Sequence, residues 1–273
     1  MRKPPTTFGA RVLLGSGLLL VTLLLIVPLA LIFTKALSEG LPTVWLNLQE
    51  NFMQHAIGLT LFVAVITVPL NMLLGIALAW CMTHYDFVGK RALSLLIDIP
   101  YAVSPVVAGL CYLVVYGVEG FVGRWFSQHD IQLMFAWPGI LLVTIFVTTP
   151  YVARILIPLM QAQGSDAESA ALSLGANGWQ IFWHVSLPNI KWGLLYGVVL
   201  TNARAIGEFG AVSIVSGTIM NQTLTLSLLV DQLNNDNKAA AAFTAAALLA
   251  LIAIASVVLK SLLEWRLSAQ KAV

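Results

Sequence analysis

The chain has 273 residues, of which 59% are hydrophobic and 10% charged, with a mean hydropathy of +0.89 and a formal net charge of +2. Soluble domains carry about 25% charged residues, so polar side chains could not cover this surface in water. The composition excludes a soluble globular protein and predicts an integral membrane protein.

Apolar runs of about 20 residues cross a bilayer as helices. The first lies between Arg11 and Lys35. Its apolar core is longer than the roughly 7–15 residues of a signal peptide. Ala36-Leu37-Ser38 makes a poor cleavage site, so a retained helix is expected. Further runs extend from Ala56 to Thr83, Ile99 to Gly117, Leu133 to Ala153, Gly193 to Val215 and Ala239 to Leu259. The expected fold class is therefore all-α, a polytopic membrane protein with about six transmembrane helices. A β-barrel needs alternating polarity in short segments, and these runs are apolar on all sides.

Lys and Arg concentrate in cytoplasmic loops. With a cytoplasmic N-terminus, Arg2, Lys3, Arg11, Lys90, Arg91, Arg154, Lys191, Lys260, Arg266 and Lys271 lie inside, against Lys35, Arg124 and Lys238 outside. Both termini are expected to face the cytoplasm. The sequence pI of 8.6 then reflects topology. No basic cluster on a soluble face suggests nucleic acid. Cys81 and Cys111 fall in helices as packing residues, and no His/Cys spacing suits a metal. His55, His84 and His129 lie near helix ends or in loops, where interfacial polarity explains them.

Arg154 to Lys191 is the longest cytoplasmic connection, and it reads as structured. Ser165 followed by Glu168 has capping-box spacing, and Asp166 adds charge where the helix dipole favours it. The helix runs to Leu174 and meets Gly175, a left-handed stop. Asn177-Gly178 signals a turn. A second short helix follows with Trp179, Phe182, Trp183 and Val185 on its apolar side, and Pro188 is expected to end it. An amphipathic hairpin on lipid headgroups would carry Lys or Arg, which the first helix lacks. Small residues such as Ala170 and Ala171 suit insertion into a protein groove.

Ser169-Ala170-Ala171-x-x-x-Gly175, nine residues, then Val185-Ser186-Leu187-Pro188 resembles the EAA motif of ABC importer permeases, Glu-Ala-Ala-x-x-x-Gly, nine residues, Ile-x-Leu-Pro. The resemblance implies that this loop forms coupling helices docking into a cleft on an ATPase subunit, through Glu168, Ser169, Ala170, Ala171, Gly175, Leu187 and Pro188. Ser169 occupies the motif's Glu position, with Glu168 about 100° away around the helix. A salt bridge made there by relatives would be lost or re-aimed. The chain has no Gly-x-x-x-x-Gly-Lys-Ser/Thr phosphate loop, so ATP and Mg are expected on a partner, with no cofactor in this chain. Asp98–Leu110, Asn202–Gly217 and Phe243–Leu251 resemble sulfate/thiosulfate permeases, the CysW type most closely. Molybdate permeases share Gly207-Glu208-Phe209-Gly210-Ala211, and an oxyanion permease of that kind is the alternative. An ion-coupled secondary transporter would leave the loop unexplained, and no repeat between halves supports one.

The resemblance implies a type I ABC importer permease fold. It divides the chain into residues 1–55 (cytoplasmic segment, first helix and external loop), a permease core over 56–262 with coupling loop 164–190, and a cytoplasmic tail over 263–273. The implied partners are a paralogous permease subunit, two cytoplasmic ATPase subunits, an extracytoplasmic sulfate-binding protein and inner-membrane lipid.

Arg204 and Glu208 lie inside the fifth run. A charge at mid-bilayer costs at least about 2.5–3.5 kcal/mol. Four residues apart, the two share a helix face and can pair. Ala203, Gly207 and Ala211 have the small-x-x-x-small spacing of close helix approach. Two readings stand: a structural ion pair, or an Arg poised on an anion pathway and weakened by its Glu so that passage is not trapped. Asn202 and Ser104 are further pathway candidates. Asp98 before Pro100 suits a first helical turn, and Ser104-Pro105 predicts a kink.

Overall fold

The computed structural model describes residues 8–270, and no strand occurs among them. Arg2, Lys3 and Lys271, counted above for orientation, lie outside the described residues, as do the side chains of Arg11, Lys260 and Arg266. The helices in chain order are α1 (Phe8–Val21), α2 (Val27–Ala36), α3 (Leu41–Gln49), α4 (Asn51–His84), α5 (Lys90–Ala102), α6 (Pro105–Tyr116), α7 (Gly123–Ser127) and α8 (Trp137–Gln163). There follow α9 (Asp166–Ser173), α10 (Gly178–Ile181), α11 (Leu187–Ile206), α12 (Gly210–Val215), α13 (Leu226–Asn235) and α14 (Ala239–Gln270). Wider π-turns join α1 to α2 at Thr22–Ile26 and α10 to α11 at Phe182–Ser186.

Four segments are long and apolar enough to cross a membrane: Val12–Ala36, Asn51–His84, Trp137–Gln163 and Ala239–Leu259. The pair α5 and α6, bent by 110°, makes a fifth if counted as one span. Alongside these, α11 packs against α4, α8 and α14. The first span, α1 with α2, leaves Leu13, Leu18 and Leu24 bare. That is the pattern of a helix whose neighbours are lipid tails.

The core is the seam between α4 and α8. A methyl group on Gly75 would stand 2.5 Å from Val152 Cβ, and one on Gly197 of α11 would stand 3.3 Å from Val152 Cα. Small residues therefore let three helices close on one point, where packing replaces the hydrophobic drive that lipid removes. Asn71 is fully buried one turn away. Its Nδ2 donates to Thr148 Oγ1 at 2.6 Å, and its Oδ1 accepts from Thr149 Oγ1 at 2.8 Å. Both of its polar atoms are satisfied, so an amide deep in the bundle joins α4 to α8 at little desolvation cost. Pro69, Pro150 and Pro158 lie inside these helices, as membrane-spanning helices tolerate.

Two expected spans are broken. The run Ile99–Gly117 divides at Val103-Ser104, both extended, before Pro105 opens α6. A proline pushes its predecessor out of the helical region, so the predicted kink becomes a separate helix. The run Gly193–Val215 begins earlier, at Leu187, and stops at Gly207. Pro188 does not end the second coupling segment: it lies in the first turn of α11, and the chain stays helical from Gly178 to Ile206. The π-turn has already given up an i→i−4 bond there, and a first-turn proline lacks only an N–H that was unpaired anyway.

Candidate functional site

Two places hold the predicted site residues. The first is the loop between α8 and α11. α9 ends in a Schellman motif: the Ala176 N–H donates to Ala171 C=O at 3.1 Å and the Gly175 N–H to Leu172 C=O at 2.9 Å. Gly175 has φ +87°, a conformation that side chains disfavour, and so it provides the expected stop. Asn177 and Gln180 form a reciprocal capping box that opens α10. The N-x-x-Q spacing is the local signature of this cap, beyond the turn expected at Asn177-Gly178.

The expected Ser165–Glu168 box does not form. Glu168 Oε2 lies 2.7 Å from His84 Nε2, and its Oε1 accepts from Ser186 Oγ at 2.6 Å. Two side-chain donors on a carboxylate outweigh one backbone N–H. Glu168 therefore turns inward while Ser169 and Ala170 stay exposed and Ala171 is half-buried. Leu187 is half-buried against the Val152–Leu156–Ile190 cluster, and Pro188 is exposed. Leu174 (89% exposed) and Trp179 (70%) project from the loop. These are large apolar groups left bare outside the candidate spans. His84, given above to interfacial polarity, is a member of this site.

The second place is where the broken helices meet. Arg204 Nη2 lies 3.0 Å from Glu208 Oε2, as the i,i+4 spacing predicts. The Glu208 side chain is 1% exposed and that of Arg204 is 35% exposed. The pair is close in distance, yet Oε2 receives no aligned hydrogen bond among the described residues. Oε1 accepts from the Ala211 N–H at 3.1 Å, and Ser227 Oγ donates to the Glu208 C=O at 2.7 Å. Glu208 thus holds the first turn of α12 just past the break at Gly207. The small-residue pattern is split as a result. Ala203 and Gly207 line an apolar recess of about 390 Å³ shared with Ala246 and Ala250 of α14. Ala211 instead lies on α12, where a methyl on Gly109 of α6 would stand 2.7 Å from its carbonyl oxygen.

The other break touches this one: a methyl on Gly210 would stand 3.1 Å from Pro105 Cβ. Ser104 is exposed at the bend, and Asn202 is half-buried on the last turn of α11. Thr201 Oγ1 is buried without a hydrogen-bond partner among the described residues. Asp98 is not in a first turn. It lies far along α5 and is ion-paired with Arg154 of α8, one turn from the edge-on Tyr101–Tyr151 rings at 5.2 Å. An apolar count places the start of this span at Ile99, because the first nine residues of α5, Lys90 to Asp98, include three charges. Lys90 near the start of α5 donates to Asp86 at 2.8 Å. That hydrogen bond, and then the lysine charge, hold the Asp86 carboxyl below its ordinary range.

Residues 71–268 match the family described as "Binding-protein-dependent transport system inner membrane component". The chain belongs to that family. It is 54% identical over 267 residues to the sulfate transport system permease protein CysW of Escherichia coli K12, covering 98% of this chain and 92% of that protein. It is 34% identical over 217 residues to the sulfate transport system permease protein CysT of the same strain, covering 80% and 78%. In fold it resembles a chain of a bacterial alginate ABC transporter crystallised with its alginate-bound periplasmic protein, with a TM-score of 0.78 at 15% identity over 94% of both chains. Membership of a CysW-type permease group agrees with the resemblance read from the motifs, and the all-helical importer fold agrees with the predicted class.

Proposed function

We propose that this chain is the membrane-spanning subunit through which sulfate or thiosulfate enters the cell. The observation that carries the reading is 54% identity, along nearly the whole chain, with a sulfate permease. The chain pairs with a CysT-like paralogue, since it is similar to both types while matching CysW better. A binding protein delivers the anion outside, and two ATPases dock on the loop that exposes Leu174 and Trp179. Both termini lie in the cytoplasm of the inner-membrane complex.

Arg204 stands on the anion pathway. Its guanidinium is partly open while its carboxylate partner is closed off. Glu208 already engages the cation, so a passing dianion is attracted without being trapped, as conduction requires. The Thr201 hydroxyl, buried without a hydrogen-bond partner among the described residues, and the meeting of two broken helices support this placement. Discontinuous helices in transporters surround substrate routes.

The test is uptake of radiolabelled sulfate by the host with the gene deleted and then restored, with and without excess molybdate. Loss on deletion, rescue on restoration and indifference to molybdate are expected. Inhibition by molybdate, with molybdate uptake lost on deletion, would assign the other oxyanion.

A further inference from the structure

We propose that Glu168, His84 and Ser186 form a clasp that fixes the coupling helix to the inner ends of α4 and α11. Glu168 is then a positioning residue that transmits loop motion into the membrane, and not an outward contact for the ATPase. The proposal rests on the reading that this loop meets an ATPase.

The geometry points inward at each step. α9 has 8 residues, fewer than the roughly 12–15 an isolated helix needs to persist in water. Something must hold it, and its exposed side chains do not. Glu168 supplies its side-chain hydrogen bonds to the bundle, with a side chain 18% exposed against 21% for His84. One carboxylate oxygen meets His84 at 2.7 Å on the last turn of α4, and the other accepts from Ser186 at 2.6 Å in the π-turn that opens α11. Ser186 is 4% exposed. The π-turn widens the helix by one residue, the distortion found at functional positions.

The histidine is itself fixed. Its Nδ1 lies 2.8 Å from Thr83 Oγ1, whose hydroxyl donates to the Ala79 C=O at 2.8 Å. Its ring stacks on Trp80 at 4.0 Å and 7°, and Phe182 of the π-turn packs edge-on against the same Trp80. Each ring nitrogen and one ring face have partners. Side chains so constrained move together with their helices, because packed cores switch between arrangements and do not stretch.

The clasp joins the two helices that close on Val152 through Gly75 and Gly197. From Leu187, α11 is continuous to Arg204, about 25 Å of helix. A displacement of the loop therefore arrives at the Arg204–Glu208 pair without crossing a flexible segment.

The experiment uses the complete complex in proteoliposomes with its binding protein, and measures sulfate accumulated and phosphate released together. Glu168→Ala and His84→Ala should each raise the ATP used per sulfate by about tenfold, the scale of one charge-assisted bond, with ATPase subunits co-purifying at wild-type levels. The double variant should be no worse than either single one, as coupled residues require. Glu168→Gln, which still accepts from Ser186, should fall between. An unchanged ratio, additive effects, or loss of the ATPase subunits from Glu168→Ala would overturn the clasp. If the alanine variants do not reach the membrane, the milder pair Glu168→Gln and His84→Gln makes the same comparison. A wild-type complex that accumulates no sulfate with ATP contradicts the transport reading instead. Amide exchange over residues 166–173 then decides the clasp, which predicts faster exchange in Glu168→Ala and is contradicted by equal rates.

Discussion

Arg204 and Glu208 differ in what each substitution leaves behind. Arg204→Gln strands a carboxylate that is 2% exposed and removes the cation proposed above to attract the anion. Sulfate uptake should fall at least about tenfold in a complex that still assembles, because the guanidinium side is partly open and its loss is partly screened. Glu208→Gln keeps an oxygen for the Ala211 N–H and should cost about 1 kcal/mol in detergent unfolding. Glu208→Ala loses cap and charge together and should cost about 3 kcal/mol. Unfolding midpoints for the two Glu208 variants check this order. The pair was legible because four-residue spacing is local geometry. His84 was not, because its partner lies 84 positions away and no local spacing encodes that contact. The same holds for Asp98 and Arg154.

At the scale of elements, glycines decide how closely helices pack. Gly75→Ala drives a methyl into Val152 at 2.5 Å, whereas Gly58 faces nothing within 4 Å. Gly75→Ala should lower stability by about 1–3 kcal/mol, with Gly58→Ala near neutral, in thermal unfolding of the purified protein. Gly175→Ala meets open space but keeps φ at +87°. It should cost about 1–2 kcal/mol through strain alone, read as faster amide exchange confined to the coupling loop. The long spans α4, α8 and α14 could be read from hydropathy because lipid demands an unbroken apolar run. The breaks at Val103-Ser104 and Gly207 were not readable that way. Hydropathy does not register a carboxylate that turns back to cap the next helix, nor an amphipathic α5 with Lys90, Arg91 and Asp98 among its residues.

At the scale of the molecule, the fold places two separate sites at opposite ends of one helix. The π-turn end of α11 carries the coupling loop, and the Gly207 end carries the charged pair. On the proposed function, the partner that moves the loop is an ATPase. Replacing exposed Trp179 and Leu174 together by Ala should release the ATPase subunits during purification and leave the membrane bundle folded, since neither side chain is in the core. The motif spacing marks that loop as a candidate docking element and does not encode the inward direction of Glu168.

The most direct measurement is accumulation of radiolabelled sulfate in proteoliposomes holding this chain, its CysT-like paralogue and the ATPase, with binding protein outside. Uptake should require both ATP and the binding protein and should fall at least about tenfold when Arg204→Gln replaces the wild-type chain. Sulfate accumulation that proceeds without ATP, or that Arg204→Gln leaves at the wild-type rate, would contradict the proposed function.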